Sequence, residues 1–202
     1  MAAPSRPVQG ILWMVATGLC FIAVTAVVKH AAQDLPAAQA AFLRYLLGLV
    51  FLLPVARTLM AARLTRGDLA LYAGRGLAHT LAVILWFYAM TQIPIAEVTA
   101  MNYLNPVYVT LGAALFLGER LAARRLIAVL VALVGVMVIL RPGFRTVETG
   151  HIAMLATAVF FAASYLAAKP LAGRHSAAVV VAMLSVTVTI GLAPFAAAVW
   201  VR

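Results

Sequence analysis

Charged residues, carboxylates and cysteine are all scarce in this sequence. Only 10% of its 202 residues are charged, five are Asp or Glu, and the single cysteine, Cys20, has no partner for an intrachain disulfide. The HExxH, CxxC, GxSxG and P-loop motifs are absent, and the carboxylates are scattered along the chain. The sequence therefore predicts no catalytic residues, no metal site and no cofactor, and we do not expect an enzyme.

Apolar residues are abundant instead. They make up 66% of the chain, and the mean hydropathy is +1.08, which is more apolar surface than the interior of a soluble domain can hold. The net charge of +10 comes from basic residues in short loops between apolar runs, a pattern that is typical of membrane proteins. We therefore expect the lipid bilayer as a partner and exclude nucleic acid.

Seven apolar runs are long enough, or nearly so, to cross a bilayer, which takes about 20 helical residues. All are predicted to be helices, because a helix satisfies its own backbone hydrogen bonds in lipid. The sequence thus predicts an all-α polytopic membrane protein with about seven transmembrane helices: Val8–Val28, Ala37–Met60, Leu69–Gln92, Ile95–Leu117, Leu126–Leu140, Gly150–Ala168 and Ala177–Val201.

Lysine and arginine are unevenly distributed between the two sides of these spans. One side takes nine of them: Arg6, Arg57, Arg63, Arg66, Arg120, Arg124, Arg125, Lys169 and Arg174. The other side takes four: Lys29, Arg141, Arg145 and Arg202. Because basic loops stay in the cytoplasm, the sequence predicts a multi-pass protein with a cytoplasmic N-terminus.

The chain contains an internal repeat. Gly10–Ala56 aligns without a gap on Gly150–Ala196, and the alignment matches Lys29 with Lys169 and Pro54 with Pro194, residue types that are scarce in apolar helices. The second copy begins after five spans, an odd number, so it enters the membrane from the opposite side. Inverted repeats are typical of secondary transporters, whose substrate site lies between the two copies.

The two copies differ in length. Residues 8–141 form the predicted first unit of five helices, whereas residues 150–202 hold only two helices of the second. We interpret the chain as a truncated product of a ten-span protein. A missing C-terminal half or a second copy of the chain is therefore an expected partner.

Several strings of residues carry a further signal. They are Phe42-Leu43-Arg44-Tyr45, Pro94-Ile95-Ala96-Glu97, Asn102-Tyr103-Leu104-Asn105-Pro106, Leu117-Gly118-Glu119-Arg120-Leu121 and a small-residue helix from Gly135 to Pro142. Together they resemble the EamA-type branch of the drug/metabolite transporter superfamily. The resemblance implies a ten-helix carrier of two five-helix inverted repeats, which moves small metabolites or drugs across the inner membrane.

Arg44 is an intramembrane charge. It lies about seven residues into the second span, and an arginine at the bilayer centre costs about 2.5–3.5 kcal/mol. It either reaches the outer surface or a carbonyl, or faces a cavity and attracts an anionic substrate group. Its repeat counterpart is Leu184, so the second copy does not need the charge, which slightly favours a binding role.

The third helix combines a cation, a titratable group and an aromatic ring. Arg75, His79 and Trp86 lie within about 40° of one another around its axis, a face that suits an organic anion or an aromatic ring. The alternative places Arg75 among headgroups and Trp86 in an interfacial belt. A row of small residues beside this face is predicted to let a neighbouring helix pack closely: Gly74, Ala78 and Ala82.

The fourth helix carries Asn102 and Asn105, with Tyr103 between them for ring contacts. Pro106 cannot donate a hydrogen bond to the carbonyl of Asn102, which leaves that carbonyl free. These polar groups are expected to face protein or water rather than lipid, and either bind substrate or join helices. Glu97, in the first turn, is either a helix cap or a carboxylate that couples transport to protons.

These features favour an inner-membrane secondary transporter of small metabolites or drugs that alternates access between inverted repeats. The predicted substrate-binding residues are Arg44, His79, Trp86, Asn102, Tyr103 and Asn105, and Glu97 is the coupling candidate, with protons as the candidate ion. The alternative is a truncated, non-transporting half of such a carrier. A membrane enzyme or a receptor is a weaker alternative, because the chain has a repeat and no catalytic cluster.

Overall fold

The structure is a computed structural model that describes residues 7–31, 35–118, 123–140 and 146–200. Some residues used above fall outside these ranges: Glu119, Arg120, Leu121, Arg141 and Pro142 of the resemblance, Val201 of the last predicted span, and Arg6, Arg141, Arg145 and Arg202 of the orientation argument. Within the described ranges every regular element is helical.

The helices follow one another along the chain with short connections. They are α1 (Pro7–Ala31), α2 (Ala37–Gly48), α3 (Ala56–Ala61), α4 (Arg66–Gln92), α5 (Ile95–Asn102), α6 (Asn105–Leu117), α7 (Ala123–Leu140), α8 (Thr149–Ala172) and α9 (Ala177–Ala198). A 3₁₀ segment, Leu49–Val55, joins α2 to α3. Each predicted span coincides with one helix or with consecutive helices, so the predicted all-α polytopic class is confirmed.

Four helical stretches are long and apolar enough by themselves to cross a membrane: Ala37–Ala61, Arg66–Gln92, Thr149–Ala172 and Ala177–Ala198. The chain forms two compact units, residues 1–35 and residues 36–202. In the first unit, α1 is apolar on all sides, and the hydroxyl of Thr17 donates to the carbonyl of Trp13 at 2.8 Å. This bond satisfies a polar group within its own helix, as a lipid environment requires.

Helix α4 begins at a reciprocal cap. The backbone N–H of Asp68 donates to Thr65 Oγ1, and the N–H of Thr65 donates to Asp68 Oδ2, both at 3.1 Å. This capping box satisfies two of the N–H groups that a helix start leaves without partners. At its other end, α4 stops at Ile93, which is extended because Pro94 follows.

The fourth predicted span is broken into α5 and α6 at Tyr103 and Leu104. The N–H of Tyr103 donates to Ala100 and that of Leu104 to Met101, at 3.2 and 3.0 Å. These are short-range turns that replace the regular helical pattern, because Pro106 has no N–H to give to Asn102. The carbonyl of Asn102, which was predicted to lack its helical partner, thus lies where the helix breaks.

Helix α4 packs against α8 in the antiparallel direction. Ile93 at the end of α4 contacts Gly150 at the start of α8, where a Cβ on the glycine would lie 2.8 Å from the isoleucine side chain. Halfway along, His79 bonds Ser164. At the start of α4, Asp68 bonds Arg174, just after the end of α8. The contact therefore extends over the whole of α4.

Helix α4 also packs against α9, in the parallel direction and at close range. A Cβ on Gly76 would overlap the side chain of Thr187, and a Cβ on Gly191 would overlap that of Thr80. The predicted close approach at Gly74 is wrong, since a Cβ there would meet nothing within 4 Å. At the other end of the predicted row, Ala82 is fully buried, and its carbonyl lies 3.4 Å from Oγ1 of Thr157 on α8.

Helices α2 and α9 are equivalent in the repeat alignment. α2 begins at Ala37 and α9 at Ala177, which are aligned residues. The ring of Phe42, early in α2, lies 6.3 Å from that of Trp200, just after α9, in an edge-to-face arrangement. The start of one helix therefore meets the end of the other, so the two equivalent helices run antiparallel.

Candidate functional site

His79 is the buried centre of a polar and aromatic group contributed by three helices. Its Nδ1 is 3.1 Å from Ser164 Oγ on α8, and its Nε2 is 3.0 Å from the hydroxyl of Tyr45 on α2. A neutral imidazole offers one donor and one acceptor, and each hydroxyl can take either role. Both ring nitrogens are therefore satisfied without a charge, as a buried histidine requires.

Two further aromatic rings complete this group. Phe161 contacts the His79 ring edge to face at 4.8 Å, and Tyr165, which is 45% exposed, stacks on Phe161 at 6.1 Å between ring centres. Phe161, Ser164 and Tyr165 share one face of α8 because residues three and four apart are neighbours on a helix. We call these five residues the His79 cluster: Tyr45, His79, Phe161, Ser164 and Tyr165.

Two arginines lie beside the cluster. The guanidinium of Arg44 is 4.9 Å from the centre of the Tyr45 ring, a cation–π distance, and its side chain is half-buried. Arg75 is only 6% exposed, and its NH1 donates to the carbonyl of Val180 on α9 at 2.9 Å. Arg75 therefore joins α4 to α9 and is not among exposed headgroups, whereas Arg44 is held by the cluster's own tyrosine.

Several buried polar atoms of α4 have no hydrogen-bond partner among the described residues. They are the hydroxyl of Tyr72, Nε of Arg75 and Oγ1 of Thr80. Buried polar groups normally have partners, and an isolated one is a place where water or a ligand binds. Tyr72 and Arg75 share the His79 face of α4, whereas Thr80 packs against Gly191 of α9. The unused hydrogen-bonding capacity on the His79 face is therefore that of Tyr72 and Arg75.

Trp86 lies two turns beyond His79, about 10 Å along the helix axis. Its side chain is buried, and its ring packs edge to face on Phe87 at 5.4 Å. Arg75, His79 and Trp86 are all buried, whereas an interfacial belt would leave the tryptophan exposed.

Asn102 and Asn105 form a second polar group at the break between α5 and α6. Asn105 Nδ2 donates to Asn102 Oδ1 at 2.8 Å, and Asn105 Oδ1 is buried without a partner among the described residues. The structure brings these two asparagines together, but it leaves Tyr103 70% exposed, apart from the buried polar atoms.

Glu97 pairs with a residue that the sequence did not single out. Its Oε2 lies 2.8 Å from Nε2 of His151, in the first turn of α8. The signal was present: His151 is the third residue of α8 after the cap residue Glu148, a position whose side chain reaches back to the helix start. Tyr45, Phe161, Ser164 and Tyr165 were also missed as site residues, although helical spacing groups the last three.

No group of three or more His, Cys, Asp or Glu side chains able to hold a metal ion occurs in the described part of the chain. The chemistry that the His79 cluster offers is instead noncovalent. It combines aromatic faces, hydroxyl groups and adjacent arginines, which suits recognition of a small organic molecule.

Comparisons with known proteins find similarity to transporters. The EamA-like transporter family matches residues 8–141. A pseudopaline exporter of Pseudomonas aeruginosa is 31% identical over 168 residues, which are 83% of this chain and 59% of the exporter. A riboflavin transporter of Vibrio cholerae is 28% identical over 193 residues, 94% of this chain and 65% of the transporter.

A more distant relative is an S-adenosylmethionine uptake transporter of Rickettsia prowazekii, 22% identical over 187 residues, 89% of this chain and 64% of the transporter. The chain thus spans about three fifths of the length of these relatives. No solved structure matches the chain.

Proposed function

The chain belongs to the EamA-like transporter family, and we propose that it is a secondary transporter of small metabolites that alternates access between inverted repeats. The family and its named relatives are transporters and not enzymes. The antiparallel course of α2 and α9, which begin at aligned residues, supports the inverted relation of the two copies.

The proposed substrate site is the His79 cluster with Arg44. The observation that carries this proposal is a histidine, two tyrosines and a serine gathered between α2, α4 and α8 in a chain that is 66% hydrophobic. Polar groups inside a membrane protein are costly and are retained where they serve a substrate or ion path. The unpartnered atoms of Tyr72 and Arg75 extend this path along α4.

The proposed substrate class is an organic molecule with a ring system, either uncharged or carrying an anionic group. The rings of Phe161 and Tyr165 supply faces for stacking, and the guanidinium of Arg44 supplies a positive charge. Relatives are named for pseudopaline, riboflavin and S-adenosylmethionine, and riboflavin provides a fluorescent probe. We place Trp86, Asn102 and Asn105 further along the same path, and Tyr103 at its exposed edge.

The proposed location is the cell inner membrane with the N-terminus in the cytoplasm, from the distribution of lysine and arginine. Single cysteines at Gly67 and Thr146 test this orientation, because one predicted position is cytoplasmic and the other is outside. An impermeant maleimide added to intact cells should label only Thr146→Cys, and labelling only of Gly67→Cys would reverse the orientation.

The function is tested by riboflavin uptake into proteoliposomes that contain the chain. Tyr45→Phe removes the hydroxyl that bonds His79, and Tyr88→Phe removes a hydroxyl that bonds Thr149 at the same distance, 3.0 Å, outside the cluster. We expect uptake above protein-free liposomes, reduced about tenfold or more by Tyr45→Phe and unchanged by Tyr88→Phe. Equal effects of the two variants would contradict the proposed site.

A half-carrier is the second candidate, because the chain spans 59% of the pseudopaline exporter. It predicts binding without transport. Quenching of riboflavin fluorescence by the chain, sensitive to Tyr45→Phe but with no uptake, would favour this candidate over a complete carrier.

A further inference from the structure

Arg75 is a buried charge that has no carboxylate partner among the described residues. It is the tenth residue of α4, inside a membrane span, and it is 6% exposed. Three carboxylates lie in the described ranges, and each is engaged elsewhere: Asp68, Glu97 and Glu148. A charged side chain inside a membrane is costly and is normally paired. The guanidinium of Arg75 therefore lacks the negative charge that would compensate its burial.

The hydrogen bonds of Arg75 are also incomplete. Its NH1 donates to the carbonyl of Val180 on α9 at 2.9 Å, and this acceptor is neutral. Its Nε, on the other edge of the planar guanidinium, is buried and has no hydrogen-bond partner among the described residues. Arginine commonly binds a carboxylate through two parallel N–H bonds from one edge. The bond to Val180 thus holds the side chain in place while the Nε edge keeps an unused donor.

Tyr72 provides a second unused donor on the same face of α4. Residues three apart are neighbours on a helix, and the guanidinium of Arg75 lies within electrostatic reach of the Tyr72 side chain. Tyr72 is 1% exposed, and its hydroxyl is buried with no partner in the described part of the chain. Its ring packs against Leu171 and Val180, so the hydroxyl has a fixed position. Two buried donors thus lie side by side, and the described side chains offer neither of them an acceptor.

Asp68, the acid four residues before Tyr72, does not meet this demand. Its Oδ2 accepts from the backbone N–H and the hydroxyl of Thr65, at 3.1 and 2.7 Å, and its Oδ1 accepts from Arg174 at 2.9 Å. The charge of Asp68 is therefore balanced within the cap of α4. A bound anion would supply the negative charge and the acceptors that Arg75 and Tyr72 lack.

Arg75 and Arg44 lie on opposite sides of the His79 cluster. Arg44 precedes Tyr45 on α2, which begins outside in the proposed orientation, whereas Arg75 precedes His79 by one turn on α4, which begins in the cytoplasm. Both arginines adjoin the cluster, since Arg44 lies over the Tyr45 ring and Arg75 is within electrostatic reach of Tyr165. One cation is thus available on the outer side of the cluster and one on the cytoplasmic side.

We propose that Arg75 and Tyr72 form a second anion subsite, which binds the carboxylate of an organic anion when the His79 cluster opens to the cytoplasm, an inference that rests on the transport function proposed above. Nε–H of Arg75 and the hydroxyl of Tyr72 donate to the carboxylate oxygens. Two donors match the two oxygens of a carboxylate, whereas a phosphate would keep further oxygens without partners. Arg44 binds the same group when the cluster opens outward, and uncharged substrates use neither cation.

The direct test is NMR of the chain in nanodiscs with 15N-labelled arginine. The probe is nicotinate, and the comparison is nicotinamide, in which a neutral amide replaces the carboxylate. We expect nicotinate to shift the Nε signal that Arg75→Lys removes, and nicotinamide and sodium chloride at the same concentration to leave that signal in place.

Three results of this titration would overturn the proposal. An equal shift with chloride would make this a site for any small anion. No shift of any arginine signal would make it a water site. A shift of the Arg44 signal alone would contradict the second subsite and leave the substrate site proposed above standing.

Two hydroxyl variants on α4 form a matched pair. Tyr72 and Thr80 each carry a buried hydroxyl without a partner among the described residues, but Thr80 packs against Gly191 of α9. Tyr72→Phe should raise the Kd of nicotinate, measured from the Arg75 signal, about tenfold, because one hydrogen bond to a charged group is lost. Thr80→Val should leave the Kd unchanged. An unchanged Kd in Tyr72→Phe, or an equal rise in both variants, would contradict the subsite.

Uptake measured from the two sides distinguishes failure of this subsite from failure of transport itself. Radiolabelled nicotinate is added to inside-out and to right-side-out vesicles, and uptake by vesicles without the chain is subtracted. Tyr72→Phe should raise KM about tenfold in inside-out vesicles, whose cytoplasmic side faces the probe, and leave KM unchanged in right-side-out vesicles. An equal rise from both sides would overturn the cytoplasmic assignment. If the unaltered chain takes up nothing while the Arg75 signal responds to nicotinate, the transport function fails and the anion subsite stands.

Discussion

Asp68 and Arg174 form an ion pair with 2.9 Å between Oδ1 and NH1, at the end of the α4–α8 contact opposite Ile93 and Gly150. Asp68 also closes the cap of α4 through Thr65. One carboxylate therefore orders the start of α4 and ties it to the turn that follows α8. The two helices are held together at both ends.

The two partners should contribute unequally to stability. Asp68→Ala removes the cap bonds and the ion pair together, whereas the Arg174 side chain is 60% exposed and Arg174→Ala should cost at most about 1 kcal/mol. We expect Asp68→Ala to lower the Tm in detergent clearly more than Arg174→Ala does. Equal losses would mean that the ion pair, and not the cap, is the important contact.

Close packing of α4 on α9 leads to a second prediction. Gly76→Ala places a methyl group against Thr187 and should lower the free energy of unfolding by about 1–3 kcal/mol. Gly74 lies on the other side of α4, where an added methyl group meets open space. Gly74→Ala should therefore be neutral or stabilising by up to about 1 kcal/mol. Denaturation in detergent compares the two, and Thr187→Ala should partly restore Gly76→Ala. A larger loss of stability in Gly74→Ala than in Gly76→Ala would contradict this packing.

The helices were predictable because their signals are local. Apolar runs end at Pro36, Pro94 and Gly118, so each span is bounded by residues that stop a helix. The break between α5 and α6 was implied by Pro106, since a missing N–H acts on a carbonyl four residues away. Ala37 and Ala177 begin their helices at aligned positions for the same reason, because each copy repeats its local sequence.

Contacts between distant helices were less predictable. His151 is 54 residues from Glu97, and no periodicity within either helix indicates that the two meet. The choice between Gly74 and Gly76 depends on how α4 rotates to accommodate both α8 and α9, which the residues of α4 alone do not determine. The burial of Trp86 follows from the same arrangement.

Arg44 gives a third prediction, suggested by its repeat counterpart Leu184. Arg44→Leu removes an intramembrane charge that costs about 2.5–3.5 kcal/mol when central, so membrane insertion should improve. Uptake of an anionic substrate should fall about tenfold, because the cation over the Tyr45 ring is lost. Arg44→Lys keeps the charge, and its uptake should lie between that of the unaltered chain and that of Arg44→Leu. Normal uptake of substrates of different charge by Arg44→Leu would make Arg44 structural.

The central claim is that the His79 cluster lines a path with alternating access, and cysteine accessibility tests it most directly. In a Cys20→Ala background, Ser164→Cys places a thiol beside His79, and Thr157→Cys places one seven residues earlier on α8, against the carbonyl of Ala82. Both parent residues are fully buried. An impermeant maleimide should label Ser164→Cys in both right-side-out and inside-out vesicles, more slowly when riboflavin is present, and should not label Thr157→Cys. Labelling of Ser164→Cys from neither side, or at the same rate as Thr157→Cys, would contradict the account.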